Sequence, residues 1–183
     1  MKNSFLVILT LVGIQQINAQ FTRRDSLQGG LRIERTSYDV KRYDLNITIN
    51  PEQKSIKGFN EISFEVMVPT QKIQLDLFDN MKVDSIIWNT KKLKYDRDND
   101  AVFIDFPEKL ASKSNHKLKF YYSGNPRIAR NAPWDGGFVF SKDKAGKDFI
   151  AVAVQGTGAS LWYPVKDSQT DEPDNGASIK VAV

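Results

Sequence analysis

One glutamine near the end of the chain has the chemistry to bind an amine. Gln155 follows an alternating segment, residues 151–154, and precedes Gly156. Its amide oxygen can accept a hydrogen bond from an ammonium group. The same side chain could instead cap the end of a strand by bonding to loop backbone. The residues alone favour the capping interpretation.

A small acidic group lies further along the chain. Asp171, Glu172 and Asp174 surround Pro173. Carboxylates at this spacing could chelate calcium or act as a base. A loop of acids beside a proline is more typical of a solvated turn. We therefore assign no metal-ligating role to these residues.

Histidine and cysteine, the side chains that most often bind zinc, are almost absent from this chain. The chain has one histidine, His116, and no cysteine. Zinc peptidases of the H-E-x-x-H type need two histidines and a glutamate on one helix, so this chain cannot hold zinc in that way. His116 shares a strand face with Leu118 and Phe120, which indicates a strand histidine with a local partner. No residue is assigned a catalytic role.

The composition is that of an ordinary soluble globular domain. Of the 183 residues, 40% are hydrophobic and 26% are charged, which excludes a mainly disordered chain. The formal net charge is +4, but the lysines are scattered among acids, and this pattern argues against nucleic-acid binding. Without cysteine, the fold must rely on burial and hydrogen bonds in place of disulfides.

The first nineteen residues form a predicted signal peptide. Lys2 precedes an apolar stretch over residues 5–14, and cleavage after Ala19 would leave Gln20 as the new N-terminus. The apolar stretch is about half the length that a membrane-spanning helix needs. We therefore expect export to the periplasm or the cell exterior, with no stable membrane span. Residues 20–36 are polar and lack periodicity, which predicts a flexible lead-in.

Alternating apolar residues predict strands along most of the remaining chain. Residues 43–49 and 62–68 alternate on either side of a short polar turn, residues 51–54, and this pattern is typical of an antiparallel hairpin. A second hairpin is predicted around Gly146. The other predicted strands lie in residues 73–77, 83–88, 93–95, 102–106, 116–122 and 179–183. The only helix candidate, residues 108–113, is about one turn long. These elements predict an all-β fold, an antiparallel sandwich or saddle-shaped sheet of short strands.

Two tryptophans outside the predicted strands allow more than one role. Trp134 lies in a loop that contains two glycines, Gly136 and Gly137, and Trp162 precedes Tyr163. Each tryptophan could belong to the core under a long loop or form a platform for a peptide or sugar.

The order of the strands and loops along the chain resembles that of the N-terminal β-domain of the aminopeptidase N family. The members of that family are zinc metallopeptidases that remove residues from peptide N-termini. The resemblance is carried by the strand at residues 44–49 with Lys57-Gly58, and by residues 154–156, Pro164, Asp167 and residues 171–173. The loop at residues 134–137 is similar to that of the bacterial exported subgroup. The resemblance places the domain at residues 37–183, with the alternating run at its end indicating truncation.

The resemblance implies a substrate-binding role for Gln155 and Gly156. In that family a Gln or Glu at the position of Gln155 receives the free α-amino group of the peptide. Zinc would belong to a catalytic domain that this chain lacks, and the partners would be a peptide N-terminus and that domain. Many relatives have alanine in place of Gly156 and an arginine near residues 160–162, so the finer shape of the pocket differs here.

The rival hypothesis is a non-enzymatic exported module that binds a glycan or a protein through its tryptophan-bearing loops. The two hypotheses differ in whether coding sequence continues past Val183 into a segment with H-E-x-x-H.

Overall fold

The computed structural model describes residues 21–169 and 171–183, so the predicted signal peptide lies outside the described residues. Two short helices come first, followed by eleven strands. The elements are α1 (Arg23–Gly29), α2 (Ile33–Thr36), β1 (Tyr38–Asn50), β2 (Ser55–Val66), β3 (Thr70–Asp76), β4 (Met81–Trp88), β5 (Lys91–Lys92), β6 (Lys94–Asp98), β7 (Ala101–Leu110), β8 (Asn115–Gly124), β9 (Gly137–Lys142), β10 (Asp148–Ala153) and β11 (Ala177–Ala182). A 3-10 helix, Ala159–Leu161, lies between β10 and β11.

The strands form two sheets and a separate hairpin. The larger sheet has the order β11-β1-β2-β8-β4-β5, the smaller has the order β3-β7-β6, and β9 pairs with β10. All pairs are antiparallel except β1 with β11, which is parallel. The prediction of an all-β fold of mostly antiparallel strands is therefore confirmed.

Aromatic side chains join the two sheets in the core. Phe106 of β7 lies 6.2 Å from Phe64 of β2 and 5.4 Å from Trp88 of β4, measured between ring centroids. All three side chains are buried. Burial of each such side chain stabilises the fold by about 1.5–3 kcal/mol. Since these residues come from both sheets, the core depends on the sheets facing each other.

The first predicted hairpin is confirmed as β1 and β2. The predicted inward residues of β1, from Tyr43 to Ile49, are all buried, as the period-two pattern requires. The predicted end of the second strand, at residue 68, is wrong, because β2 ends at Val66 and Val68 is 46% exposed. The hairpin predicted around Gly146 is also present, as β9 and β10.

The prediction of a lead-in without regular structure is wrong for the described part of residues 20–36. Thr22 and Asp25 form a reciprocal capping box at the start of α1, and Leu27 is buried. Arg35 of α2 is buried as well. Tertiary contacts therefore stabilise helices that are too short to be stable alone.

The predicted helix at residues 108–113 is also wrong. Strand β7 continues through Leu110, which pairs with Thr70 of β3 and is buried. The pairing satisfies backbone groups that a single helical turn would leave unpaired.

His116 has the local partner that its strand position predicted. Its Nε2 lies 2.7 Å from the hydroxyl of Ser114, and its ring lies between Phe64 and Trp88, at 5.6 and 5.7 Å. Burial lowers the pKa of His116, an effect that Glu108 opposes. The histidine is therefore part of the packing at one end of the sandwich.

The two loop tryptophans differ in their surroundings. Trp162 packs against the core, in edge contact with Phe138 at 5.9 Å and Tyr163 at 4.7 Å. Trp134, in contrast, is 70% exposed. The core interpretation is thus correct for Trp162 and wrong for Trp134.

We expect Gly58→Ala to destabilise the chain by about 2–4 kcal/mol, because strand β1 leaves no space for a side chain there. A Cβ at Gly58 would lie 2.1 Å from the backbone oxygen of Asn46. Chemical denaturation followed by circular dichroism measures the loss. Gly29→Ala is the matched control, since nothing lies within 4 Å of a Cβ at Gly29. Equal unfolding midpoints for the two variants would contradict the prediction.

Candidate functional site

Gln155 and Gly156 lie in a tight turn that follows β10. The backbone oxygen of Val154 accepts hydrogen bonds from the amides of Thr157 and Gly158, at 3.1 and 3.0 Å. Gly156 has a φ of +68°, a conformation that favours glycine. The turn therefore has a defined backbone and places Gln155 at a fixed position beyond the strand.

The side chain of Gln155 is exposed. Among the described residues, none forms a hydrogen bond with its amide. The alternative in which Gln155 caps the strand end therefore has no contact to support it. An exposed amide has both its oxygen acceptor and its two N–H donors available for a ligand.

The segment after the turn is fixed by Asp167. Its carboxylate accepts hydrogen bonds from the amide and the hydroxyl of Ser160, at 3.2 and 2.6 Å. Gly158 has a φ of +79°, and a Cβ there would lie 2.1 Å from the same carboxylate. Gly158 is therefore required both for its backbone conformation and for the close approach of Asp167.

A buried ion pair anchors Asp167 to the helices at the start of the chain. The guanidinium of Arg35 donates to the carboxylate of Asp76 at 2.7 Å and to the backbone oxygen of Asp167 at 2.5 Å. Asp76 also accepts from the backbone amide of Asp167 at 3.2 Å and from the side chain of Gln74 at 2.6 Å. Asp76 and Arg35 are both almost fully buried. Burial raises the pKa of Asp76 to about 6, although Arg35 opposes the shift.

The acids at the end of the chain have structural partners. Asp171 pairs with Lys166 and accepts a hydrogen bond from the amide of Val40 at 3.3 Å. Asp174 pairs with Lys41 at 2.7 Å. Burial raises the pKa of Asp171, an effect that Lys166 opposes. Asp171 is therefore part of the packing between this segment and β1, and the solvated-turn interpretation is wrong for it.

The residues present do not fit a zinc ion. Across residues 21–169 and 171–183, no three His, Asp or Glu side chains converge in a way that could hold a metal. His116 packs against the rings of Phe64 and Trp88, and its Nε2 is bonded to the hydroxyl of Ser114. Zinc chemistry therefore cannot be assigned to side chains of this part of the chain.

A groove of about 830 Å³ separates the turn from the end of α1. Residues 28, 29 and 31 line it from the helix side, and residues 154 and 156–158 line it from the turn. Residues 167–169 complete the lining. The sequence predicts the strand that leads to Gln155 but not the helix side of the groove, because residues 20–36 lack periodicity. The capping box of Thr22 and Asp25 is the signal that could have revealed α1.

The fold and the site define an all-β domain with a polar turn at the rim of a groove. Residues 39–183 match the family model of the peptidase M1 N-terminal domain. The chain therefore belongs to the M1 peptidase N-terminal domain family, which includes the aminopeptidases that it resembles in sequence.

Solved structures with this fold include M1 zinc metallopeptidases. The enzyme from Deinococcus radiodurans is 22% identical, with a TM-score of 0.61 over 79% of this chain and 32% of that chain. A variant of that enzyme, bound to a Tyr-Ser-Ala substrate, is 23% identical with a TM-score of 0.60, over the same shares of the two chains. Leukotriene A4 hydrolase from Saccharomyces cerevisiae is 15% identical with a TM-score of 0.62, over 81% of this chain and 24% of that chain.

The chain thus spans 32% or less of the length of these structures. No curated protein matches it. None of the helices in the described part is long and apolar enough to cross a membrane.

We expect Asp76 to titrate near pH 6 in the folded chain, well above its ordinary value of 3.8. Because the folded state then holds the proton more tightly than the unfolded state, the contribution of this carboxyl group to stability is full below about pH 4. That contribution declines as the pH rises from about 4 to about 6. Carbon-detected NMR of the side-chain carboxyl groups measures the pKa directly.

Asp98 is the control for this titration. A hydrogen bond from Arg23 lowers its pKa below 3.8, and its side chain is exposed. Titration of both carboxyl groups at the same pH would contradict the role assigned to burial.

Proposed function

We propose that this chain is the substrate-binding N-terminal domain of an exported zinc aminopeptidase, and that Gln155 binds the free α-amino group of the peptide. One observation carries the proposal: a chain of the M1 N-terminal family presents an exposed glutamine amide on a turn of fixed backbone. The Tyr-Ser-Ala substrate in the Deinococcus radiodurans structure supports a peptide as the ligand class.

The contribution of this domain is to bind and orient the substrate. The amide oxygen of Gln155 accepts a hydrogen bond from the peptide ammonium. Gly156 keeps the surface beside that amide open, since nothing lies within 4 Å of the place a Cβ would take. A catalytic domain elsewhere in the protein would hold the zinc ion, which supplies an activated water when bound.

Export is the second part of the proposal. It rests on the sequence of residues 1–19, in which a lysine and an apolar stretch precede Ala19. We expect the mature protein to begin at Gln20 and to be found in the periplasm or the medium. Mass spectrometry of the N-terminal peptide from each cell fraction tests this, and an intact Met1 in the cytoplasm would overturn it.

The rival function is a non-enzymatic module that binds a glycan or a protein. One observation favours it: Trp134 is 70% exposed in its loop, as a binding platform would be. Such a module would have no reason to recognise a free α-amino group. Peptide binding therefore distinguishes the two functions.

We expect the chain to bind Leu-Gly-Gly in the millimolar range and N-acetyl-Leu-Gly-Gly at least roughly fivefold more weakly, because acetylation removes the ammonium. Gln155→Ala should remove this discrimination, whereas Gln155→Glu should keep it, since a carboxylate also accepts from an ammonium. Chemical-shift titration of the 15N-labelled chain measures both dissociation constants.

Gln53→Ala is the matched control, because Gln53 is also exposed but lies in the turn between β1 and β2. Equal binding of the free and acetylated peptides to the unmodified chain would overturn the proposed role of Gln155.

A further inference from the structure

The segment that precedes the family domain has a structural role of its own. Residues 22–37, here called the N-terminal strap, lie outside residues 39–183, which match the family model. They contain α1 and α2 and form one side of the groove beside Gln155. We infer that the strap is a second wall of the peptide-binding site and contacts an apolar side chain near the peptide N-terminus. This inference rests on the proposed function, to which it adds a specificity element.

The strap is held firmly against the domain. Leu27 is 1% exposed, and its backbone oxygen accepts hydrogen bonds from Gln74 at 3.1 Å and from Arg35 at 3.4 Å. Arg24 and Gln28 both bind the buried carboxylate of Asp100. Because these contacts hold the strap in place without a ligand, binding does not incur the entropic cost of ordering it.

Two apolar side chains face the groove from its opposite sides. Leu31 of the strap is 76% exposed, and Val154 at the start of the turn is 40% exposed. Exposed apolar residues on both sides of a concave surface are a common feature of ligand sites. On the strap side the groove is open at Gly29, since nothing lies within 4 Å of a Cβ there.

Gln155 does not itself line the groove, but it lies between two residues that do. Both of its neighbours, Val154 and Gly156, line the groove. In the proposed arrangement, a peptide whose ammonium is bound at Gln155 extends past Val154 into the groove, so that its first side chain contacts Leu31. An apolar side chain at that point removes apolar surface of both residues from water, which favours binding.

The test compares two peptides that share a free α-amino group and differ in their apolar side chain. We expect the chain to bind Leu-Gly-Gly about tenfold more tightly than Gly-Gly-Gly, with amide shifts at residues 28–31 as well as 154–158. Leu31→Ser should reduce this preference to about threefold. Ile33→Ser is the matched control, because Ile33 is 53% exposed on the same strap but does not line the groove.

A second variant tests whether the peptide binds beside the strap, by placing a bulky side chain in the groove. Gly29→Trp places a large side chain in the open part of the groove, and it should weaken Leu-Gly-Gly binding at least fivefold while the unfolding midpoint stays within error. An unchanged affinity with a folded chain would overturn the inference.

The outcomes separate the two proposals. If free and acetylated Leu-Gly-Gly bind differently, but Leu31→Ser behaves like Ile33→Ser and shifts are confined to residues 154–158, the strap is not a wall and the proposed function stands. If acetylation has no effect, or no peptide binds, the proposed function fails and the inference fails with it. Loss of the leucine preference in Leu31→Ser alone supports the strap as a specificity element.

Discussion

The Arg35–Asp76 ion pair joins three parts of the chain that are far apart in sequence. Arg35 comes from α2, Asp76 ends β3, and both bind the backbone of Asp167. A buried charge is costly unless it is paired and its remaining hydrogen-bonding groups are satisfied. Here Gln74 and the amide of Asp167 satisfy the carboxylate, while Leu27 and Asp167 accept from the guanidinium. Removing one member of such a pair typically costs about 3–5 kcal/mol, because the other charge is left buried and unpaired.

The geometry of this pair also determines the geometry of the groove. The guanidinium of Arg35 binds the backbone oxygen of Leu27, on the strap side, and that of Asp167, on the side of the turn. The planar, multivalent donor of arginine suits this arrangement, and lysine could not reproduce it. Asp167 in turn holds Ser160 and the backbone around Gly158. One side chain of the strap thus links the two sides of the proposed peptide site.

The sequence predicted those parts of the structure that depend on local patterns. The alternation from Tyr43 to Ile49 depends on one buried face, and it identified β1 correctly. Strand β11 was predicted in the same way, but its parallel pairing with β1 was not, because alternation does not specify a partner. The strap was missed since its stability comes from Leu27 and Arg35 packing against residues more than forty positions away. For the site, the resemblance implied that Gln155 is a substrate ligand, which stays a prediction, and nothing in the sequence indicated that α1 lies across a groove from residues 154–158.

If Gln155 binds the peptide ammonium as proposed, that interaction has a predictable effect on KM and kcat. The α-ammonium of a peptide carries its charge both before the peptide bond is attacked and during the attack. A hydrogen bond to it is therefore equally strong in the ground state and the transition state, and such uniform binding acts on KM and not on kcat. In the proposed arrangement Leu31 contacts the side chain of the first residue, whose carbonyl carbon is attacked, and an apolar contact that stays equally strong during the attack would likewise act on KM. The proposed roles of the turn and the strap are accordingly to select and position the peptide, and the rate of the chemical step would depend on the proposed catalytic domain.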